Sequence, residues 1–265
     1  MAGRIEVVYS KLDRAKFHAQ ELQDKWVEFV HGGAYAYTVY VDVEPPHALH
    51  CRWQVRSETT EELRTLTNLA LIFGDMLTNL RATLDYLIWQ LVLAAGNTPT
   101  NQHAFPCVKV ANNWASAAAE RLVGIEAAWV NEIKQLQPYH RGNQPERHML
   151  AVLDHINNVN KHRTLPPVIV TAEKFNLAVE HPDLGGRELN VSQSLDRPIE
   201  DGVEFYCMTF DPPLGELKIG PDPDLPLRVS FRDGLDHSDG WGYSNDSLVA
   251  WVEDAVAIFN PAFAS

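Results

Sequence analysis

Cysteine is scarce in this chain of 265 residues, and its spacing excludes two common uses of the residue. The three cysteines, Cys51, Cys107 and Cys207, lie far apart, and none belongs to a CxxC pair. Such a set provides neither the ligand spacing of a zinc finger nor the framework of a disulfide-rich domain. A sparse and odd number of cysteines is typical of a reducing compartment, which predicts a cytoplasmic protein.

Long hydrophobic runs are also missing from the sequence. The longest apolar stretch, residues 84–95, is interrupted by Asp85 and Gln90 and is too short to cross a bilayer. The first residues contain no apolar core of the kind that a secretory signal requires. The sequence therefore predicts no association with a membrane.

Several motifs of catalysis and metal binding do not occur. There is no GxSxG, which places the nucleophile of an α/β-hydrolase, and no HExxH or HxxxH for a zinc site on a helix. The Asp-rich region 233–246 lacks the ligand spacing of a calcium loop. From the sequence we therefore expect no cofactor and no metal.

Positive charge is scarce in the last two-fifths of the chain. Residues 1–163 contain sixteen basic and seventeen acidic side chains, whereas residues 164–265 contain six basic and eighteen acidic ones. An acidic surface repels phosphate backbones and other copies of itself. We expect residues 164–265 to face solvent or to bind a basic protein partner, and we expect any homodimer to form through the first part.

The composition that is present is typical of a globular protein, with 45% hydrophobic and 22% charged residues. Steps of three and four between apolar residues predict helices. The predicted helices lie near residues 10–30, 60–95, 113–133, 145–162 and 246–259. Strict alternation predicts a β-hairpin over 34–56 and short antiparallel strands between 168 and 231.

These elements together predict an α+β fold. It is a helical bundle with an N-terminal β-hairpin, followed by a mainly antiparallel β region and a C-terminal helix. The division expected from charge and pattern places the helical part with the hairpin in residues 1–163. The acidic, β-rich part with the C-terminal helix then occupies residues 164–265, and the two parts can also pack as one domain. The helices 60–95 and 145–162 should pack together, because each has a wide apolar face.

Three histidines recur at seven-residue steps in the helix predicted over 145–162. His148, His155 and His162 would share one flank of that helix, beside its apolar face, with Asn158 one turn before His162. Successive members would lie about 10.5 Å apart along the axis, which is too far for one metal to bridge. Such a row suits either structural hydrogen bonding between helices or proton transfer and ligand binding.

Arg81 and Asp85 lie four residues apart on the long helix, where they can form an ion pair. Half-buried against the 145–162 helix, they would orient His162 or Lys161 and create a carboxylate–imidazole pair with a nearby cation. The candidate site is therefore His162, Lys161, Asn158, Arg81 and Asp85. The alternative role of the same residues is polar pairing between helices.

Three segments resemble the motifs of a group of bacterial proteins that have no assigned activity. Residues 79–92 contain LRxxLDxLxWxL, residues 136–139 are LQPY, and residues 157–163 contain NNxxKHR. The resemblance covers roughly residues 60–165. The joint presence of the three motifs implies that their polar residues meet in space.

A more distant similarity is to HEPN domains, which are helical bundles that often act as ribonucleases. Their hallmark is an arginine and a histidine separated by four to six residues, and six residues separate Arg141 from His148. The resemblance implies metal-independent cleavage of RNA. It makes His162 or His148 the general base, with Arg81 or Lys161 stabilising the phosphate.

Two functions are therefore open on the sequence. The first is a non-catalytic binding or assembly module with a polar network of Asn, His, Arg and Asp side chains between helices. The second is a HEPN-like ribonuclease with RNA as its partner. They differ in whether residues such as Asp85 and His162 line an open cleft or a closed interface between helices.

Overall fold

A computed structural model describes part of the chain in detail. The described residues are 4–31, 35–41, 48–55, 60–162, 168–172, 175, 177, 179–180, 188–194, 201–211, 218–219, 227–231 and 245–264. Within them the fold is α+β, as the sequence predicts. The chain forms a helical unit, comprising residues 1–23, 67–167 and 243–265, and a sheet unit, comprising residues 24–66 and 168–242.

Most helices begin and end close to their predicted positions. The α-helices are α1 (Arg4–His31), α2 (Thr60–Ala94), α3 (Trp114–Arg121), α4 (Ala127–Gln135), α5 (Met149–His162) and α6 (Asn245–Ala257). Short 3-10 turns lie at Ala111–Asn113, Pro138–Arg141, Pro145–Arg147 and Asn260–Phe263. Among the described residues, no helix is both long enough and apolar enough to cross a membrane.

The prediction of a single helix over 113–133 is wrong, because this part of the chain forms two helices, α3 and α4. Gly124, between them, has a φ of +80°, a left-handed conformation that disfavours every residue with a Cβ atom. The side-chain amide of Asn97 donates a hydrogen bond of 2.8 Å to the carbonyl oxygen of Gly124. This turn therefore ends the helical periodicity through one backbone position that the apolar pattern does not reveal.

The helix predicted over 145–162 begins four residues later than expected. Pro145–Arg147 forms a 3-10 turn, and His148 is extended, with φ −76° and ψ 136°. The Nδ1 atom of His148 accepts a hydrogen bond from the N–H of Leu150 at 3.2 Å, so this side chain caps the start of α5. The predicted row of three histidines on one helix is consequently wrong, because His148 precedes the helix.

The core of the helical unit lies between the apolar faces of its helices. Leucines at steps of three and four make up the buried face of α2, and burial of each contributes about 1.5–3 kcal/mol. The buried members of that face include Leu69, Leu77, Leu80, Leu84, Leu87 and Leu91. Side chains of α5 and α6, such as Leu153 and Val252, are equally inaccessible.

The sheet unit contains only antiparallel strand pairs among the described residues. The strands are β1 (Tyr35–Val41), β2 (Ala48–Val55), β3 (Val168–Ala172), β4 (Val179–Glu180), β5 (Glu188–Gln193), β6 (Glu204–Asp211), β7 (Lys218–Ile219) and β8 (Leu227–Phe231). They form one sheet of order β1-β2-β6-β5 and two separate pairs, β3-β8 and β4-β7. The predicted hairpin and antiparallel strands are therefore confirmed.

The hairpin is part of the larger sheet. Its strand β2 pairs with β6, so that Leu49 lies opposite Met208 and His50 lies opposite Cys207. On the core side, the ring of Trp53 stacks on Phe205 with centroids 4.0 Å apart. The division predicted at residue 163 grouped this hairpin with the helices, whereas its hydrogen bonds join it to strands later in the chain.

Candidate functional site

A line of polar contacts joins α2 to α5 within the helical unit. We call this line the polar seam; its pairs are Gly74 with Asn160, Thr78 with Asn157, and Arg81 with Asp154. The pairs advance by one turn along α2 while they retreat by one turn along α5, as two antiparallel helices require. The expected packing of these two helices is therefore confirmed, and polar groups lie along its edge.

Gly74 sets the close approach at one end of the polar seam. The amide of Asn160 donates a hydrogen bond of 3.4 Å to the carbonyl oxygen of Gly74. A Cβ atom at position 74 would lie 2.6 Å from Oδ1 of Asn160, so the glycine provides the space for this side chain. An Asn of the third motif therefore packs directly against the backbone of α2.

Arg81 lies at the other end of the polar seam, with only a tenth of its side chain exposed. Its Nη2 donates to the carbonyl oxygen of Phe105 at 2.6 Å and to Oδ1 of Asp85 at 3.1 Å. Its Nη1 lies 3.6 Å from Oδ1 of Asp154. Both carboxylates are about a third exposed, and Nη1 of this buried arginine has no hydrogen-bond partner among the described residues, although Asp154 lies close enough for an ion pair.

The loop segment 105–108 is held by residues from two of the three motifs. Asp85 of the first motif accepts a hydrogen bond of 2.9 Å from the N–H of Phe105, whose carbonyl Arg81 binds. Gln137 of the LQPY motif is fully buried, and its Oε1 accepts from the N–H of Val108 at 3.0 Å. The N–H of Tyr139 donates to the carbonyl of Val108 at 3.2 Å.

The third motif approaches the same segment through α5. Asn158 donates a hydrogen bond of 3.4 Å to Asp154, which in turn faces Arg81. The thiol of Cys107 points to the carbonyl oxygen of Leu150 at 3.9 Å. The first two motifs therefore bind the segment 105–108 directly, whereas the third motif is linked to it only through the contact of Asn158 with Asp154.

The segment 106–110 forms one wall of a cleft of about 420 Å³, and residues of α3 form the opposite wall. Four charged side chains line this cleft: Lys109, Glu120, Arg121 and Asp154. Positive and negative groups are equal in number, so the cleft is polar without a net charge. A pocket of this volume accommodates a small molecule.

Cys107 also lines the cleft, and its thiol is held in the protonated form. Burial, together with the charge of Asp154, raises the pKa of the Cys107 thiol to about 12, against the opposing charges of Arg81, Lys109 and Arg121. The thiolate is the nucleophilic form of cysteine. At neutral pH this side chain therefore packs against the cleft wall as a weakly polar group and is not a nucleophile.

The residues singled out in the sequence fall at different places. Arg81 and Asp85 lie together, and Asn158 joins them through Asp154. Lys161 and His162 form the last turn of α5, but their side chains lie outside the described residues. Asn158 itself is exposed.

Sequence reasoning missed the residues that connect this site. Asp154 lies four residues before Asn158, and that spacing was a usable signal for a contact on one helix face. Gln137 stood inside a recognised motif, although its burial follows only from the packing of α4. The backbone groups of Phe105 have no signal in the sequence at all.

Arg141 and His148, the pair with HEPN-like spacing, lie near each other at the start of α5. Burial lowers the pKa of the His148 imidazole, and the charges of Arg141 and His140 lower it further. The guanidinium of Arg141 donates to the carbonyl oxygen of Arg147 at 2.7 Å. The ring of His148 meets Trp251 of α6 edge to face at 5.5 Å.

Comparisons of the chain with protein-family models, with curated proteins and with solved structures found no match. The geometry of these two sites therefore carries the functional argument.

Proposed function

We propose that the helical unit is a non-catalytic binding module whose ligand occupies the cleft between segment 106–110 and α3. One observation carries this proposal: the polar residues of the motifs use their hydrogen bonds to hold the wall of the cleft. Asp85 and Arg81 bind both backbone groups of Phe105, and Gln137 binds Val108. A wall fixed in this way is preorganised, which lowers the entropy lost on binding.

The chemistry of the cleft favours binding over catalysis. The Cys107 thiol has a pKa of about 12, because it is buried, and is therefore a poor nucleophile. Arg81, the expected phosphate ligand, directs its Nη2 to Phe105 and Asp85 and is a tenth exposed. Cys107 and Arg81 therefore contribute to the structure of the cleft wall.

The charges of the cleft indicate the class of ligand. Lys109 and Arg121 can pair with an anionic group, and Glu120 and Asp154 can pair with a cationic one. A small zwitterion, such as an amino acid or a short peptide, presents both charges at once. We therefore assign this class of ligand to the cleft.

Thermal unfolding with a panel of free amino acids and dipeptides tests the proposal. A bound ligand stabilises the folded state by RT ln(1 + [L]/Kd), which is about 2.7 kcal/mol at a hundredfold excess over Kd. We expect at least one compound to raise the Tm of the wild type, and expect Arg121→Gln and Glu120→Gln to reduce that shift. Glu132→Gln, an exposed change on α4, is the matched control. A panel that shifts nothing, or a shift that both cleft variants retain in full, would refute the proposal.

A HEPN-like, metal-independent ribonuclease is the second candidate, favoured by the pair of Arg141 and His148. A lowered pKa keeps the imidazole of His148 neutral at pH 7, as a general base requires. Because its Nδ1 accepts a hydrogen bond from the N–H of Leu150, Nε2 carries the proton of the neutral ring, so His148 could take the proton of the RNA 2′-hydroxyl only through Nδ1 and with loss of that hydrogen bond. Arg141, which is exposed, would then stabilise the phosphate.

Cleavage of single-stranded RNA in the presence of a chelator separates the two candidates. The ribonuclease predicts cleavage by the wild type that His148→Ala or His162→Ala abolishes, with His103→Gln as a histidine control outside the site. The binding module predicts no cleavage above that of a mock purification. If His162 is structural, His162→Ala should instead lower the stability by about 1–3 kcal/mol.

A further inference from the structure

Three side chains that commonly bind metals meet on one face of the sheet unit. His50 belongs to β2, and Glu204 and Cys207 belong to β6. One ligand atom of each lies within 4.8 Å of the corresponding atoms of the other two. The Nδ1 atom of His50 and Oε2 of Glu204 are hydrogen-bonded at 2.8 Å.

A β-bulge in the sheet creates this arrangement. Glu204 and Cys207 lie three residues apart, and in a regular strand that spacing places side chains on opposite faces. The register between β2 and β6 shifts at Cys51 and Arg52, so that Cys207 pairs with His50 while Glu204 pairs with Arg52. The extra residue on β6 therefore brings both potential ligands to the face of His50. Bulges commonly redirect side chains next to functional sites.

The three side chains differ in exposure in a way that suits a bound ion. The His50 side chain is largely buried, Cys207 is partly buried, and the carboxylate of Glu204 is two-fifths exposed. An ion between them would be held by the sheet on one side and open to solvent on the other. Water can then complete its coordination.

We propose that His50, Glu204 and Cys207 form a binding site for a divalent metal ion of the Zn²⁺ type. Imidazole nitrogen, thiolate sulfur and carboxylate oxygen are the ligands that Zn²⁺ takes in proteins, and three of them with one water form its usual open tetrahedral set. Hard ions such as Mg²⁺ and Ca²⁺ prefer sites made of oxygen ligands alone. The thiol in this set therefore selects a softer ion.

The distances require only a small adjustment. Bond lengths of about 2.0–2.3 Å to zinc place tetrahedral ligand atoms roughly 3.3–3.6 Å apart. The hydrogen-bonded pair of His50 and Glu204 must separate by less than about 1 Å, and the Cys207 sulfur, which lies within 4.8 Å of both ligand atoms, must approach by at most about 1.5 Å, within the range of side-chain rotation. Arg52, whose Nη2 lies 3.9 Å from Oε2 of Glu204, stays near the carboxylate and limits the affinity.

Metal binding at this site displaces a proton and joins two strands. A neutral imidazole binds the ion through Nδ1 and keeps its proton on Nε2, Glu204 binds as a carboxylate, and the thiol proton of Cys207 passes to solvent. Because His50 lies 154 residues from Glu204 in the chain, the ion would crosslink distant parts of the sheet unit. Binding should therefore raise the thermal stability of the folded chain.

Titration of the full-length protein with Co²⁺, followed by displacement with Zn²⁺, tests the site. Co²⁺ bound by a thiolate gives a charge-transfer absorption in the near ultraviolet, so the signal reports coordination by cysteine. We expect one equivalent to bind with this absorption, Zn²⁺ to abolish it, and Zn²⁺ to raise the Tm. Cys207→Ser should remove the absorption. His50→Gln and Glu204→Gln should each weaken metal binding by more than about tenfold, because loss of a group that only hydrogen-bonds a metal ligand already weakens binding by that much.

Cys51→Ala is the matched control. Cys51 is next to His50 in β2 but points into the core on the opposite face, where burial raises its pKa to about 12. This variant should retain the absorption and the increase in Tm. Absence of the thiolate absorption in the wild type, or its persistence in Cys207→Ser, would overturn the proposal. The site lies in the sheet unit, so this result is independent of the cleft in the helical unit.

Discussion

At the scale of single residues, the three cysteines show how the surroundings of a thiol decide its chemistry. Cys51 is buried and Cys107 is partly buried in the cleft wall, and burial is the main cause that raises the pKa of each to about 12. Cys207 lies instead beside a histidine and a carboxylate on a partly open face. Cys207 is therefore the cysteine that the geometry assigns to metal binding, while the other two act as packing groups.

His148 is a second residue whose role depends on its environment. It caps α5 through an unprotonated Nδ1, and burial together with Arg141 and His140 lowers its pKa. Protonation would remove the acceptor and place a charge in a partly buried position. The cap therefore functions only while the imidazole is neutral.

We predict that His148 makes the stability of the protein fall in mildly acidic solution. Above a pH of about 6.5 the imidazole is neutral in the folded and unfolded chains, and its contribution does not change with pH. Below that value the unfolded chain takes up the proton first, so the free energy of unfolding decreases until the pH passes the lowered pKa of the folded state. Urea denaturation at several pH values measures this decrease.

His148→Asn is the comparison for this measurement. Asparagine can cap a helix without titrating, so the variant should lose the part of the pH dependence that His148 causes. His148→Ala should cost about 1 kcal/mol at neutral pH through loss of the cap. An unchanged pH dependence in His148→Asn would contradict the assignment.

At the scale of elements, the segment 105–108 depends on helices that lie far from it in the chain. It has no strand partner of its own among the described residues, and its backbone groups bind Arg81, Asp85, Gln137 and Tyr139. Gln137 is the most deeply buried of these side chains, since its exposure is zero. It uses both ends of its amide, because Nε2 donates to the carbonyl of Ile133 at 2.9 Å.

We predict that Gln137→Met destabilises the protein by about 1–3 kcal/mol, although it preserves the volume of the side chain. The change leaves the buried N–H of Val108 and the carbonyl of Ile133 without their partners, and unpaired buried groups carry this cost. Gln135→Met, on an exposed position of α4, should stay within about 0.5 kcal/mol of the wild type. Equal losses in the two variants, measured by urea denaturation, would show that Gln137 does not hold the segment.

At the scale of the whole molecule, charge and apolar surface are unevenly distributed along the chain. Residues 164–265 contain eighteen acidic and six basic side chains, which disfavours contact between two copies of this region. On α2, Tyr86 and Trp89 are about two-fifths exposed, and Leu71 is half exposed. We propose that a homodimer, if it forms, covers these apolar side chains of the helical part.

We therefore predict that self-association depends on Trp89 and changes little between low and moderate salt, because few charges are screened in an apolar contact. Light scattering should show a smaller assembly for Trp89→Ser, with Tyr40→Ser, an exposed aromatic residue of β1, as control. Binding of a basic protein to the acidic region should weaken steeply over the same salt range. A dimer that dissociates as salt is lowered, or that Trp89→Ser leaves intact, would contradict this prediction.

The sequence alone predicted those features that depend on neighbours within a few turns of chain. The apolar steps of α2 and α6 and the alternation of β1 and β2 predict their bounds closely, because each pattern is repeated over several turns or residue pairs. The ion pair of Arg81 and Asp85 is also local, since a separation of four residues brings side chains together on any α-helix. This reasoning failed at Gly124 and at His148, where the conformation of a single residue interrupts or delays a predicted helix.

The tertiary structure decided where polar groups from distant parts of the chain meet. Asp154 faces Arg81 only because α5 packs antiparallel to α2, and the backbone of Phe105 completes that cluster from a loop. His50 meets Cys207 only because β2 pairs with β6, and Glu204 joins them only because of the bulge. Periodicity specifies which face of an element is buried, but it does not specify which other face will cover it. Helix packing and strand register set those partners, and both the cleft wall and the proposed metal site depend on them.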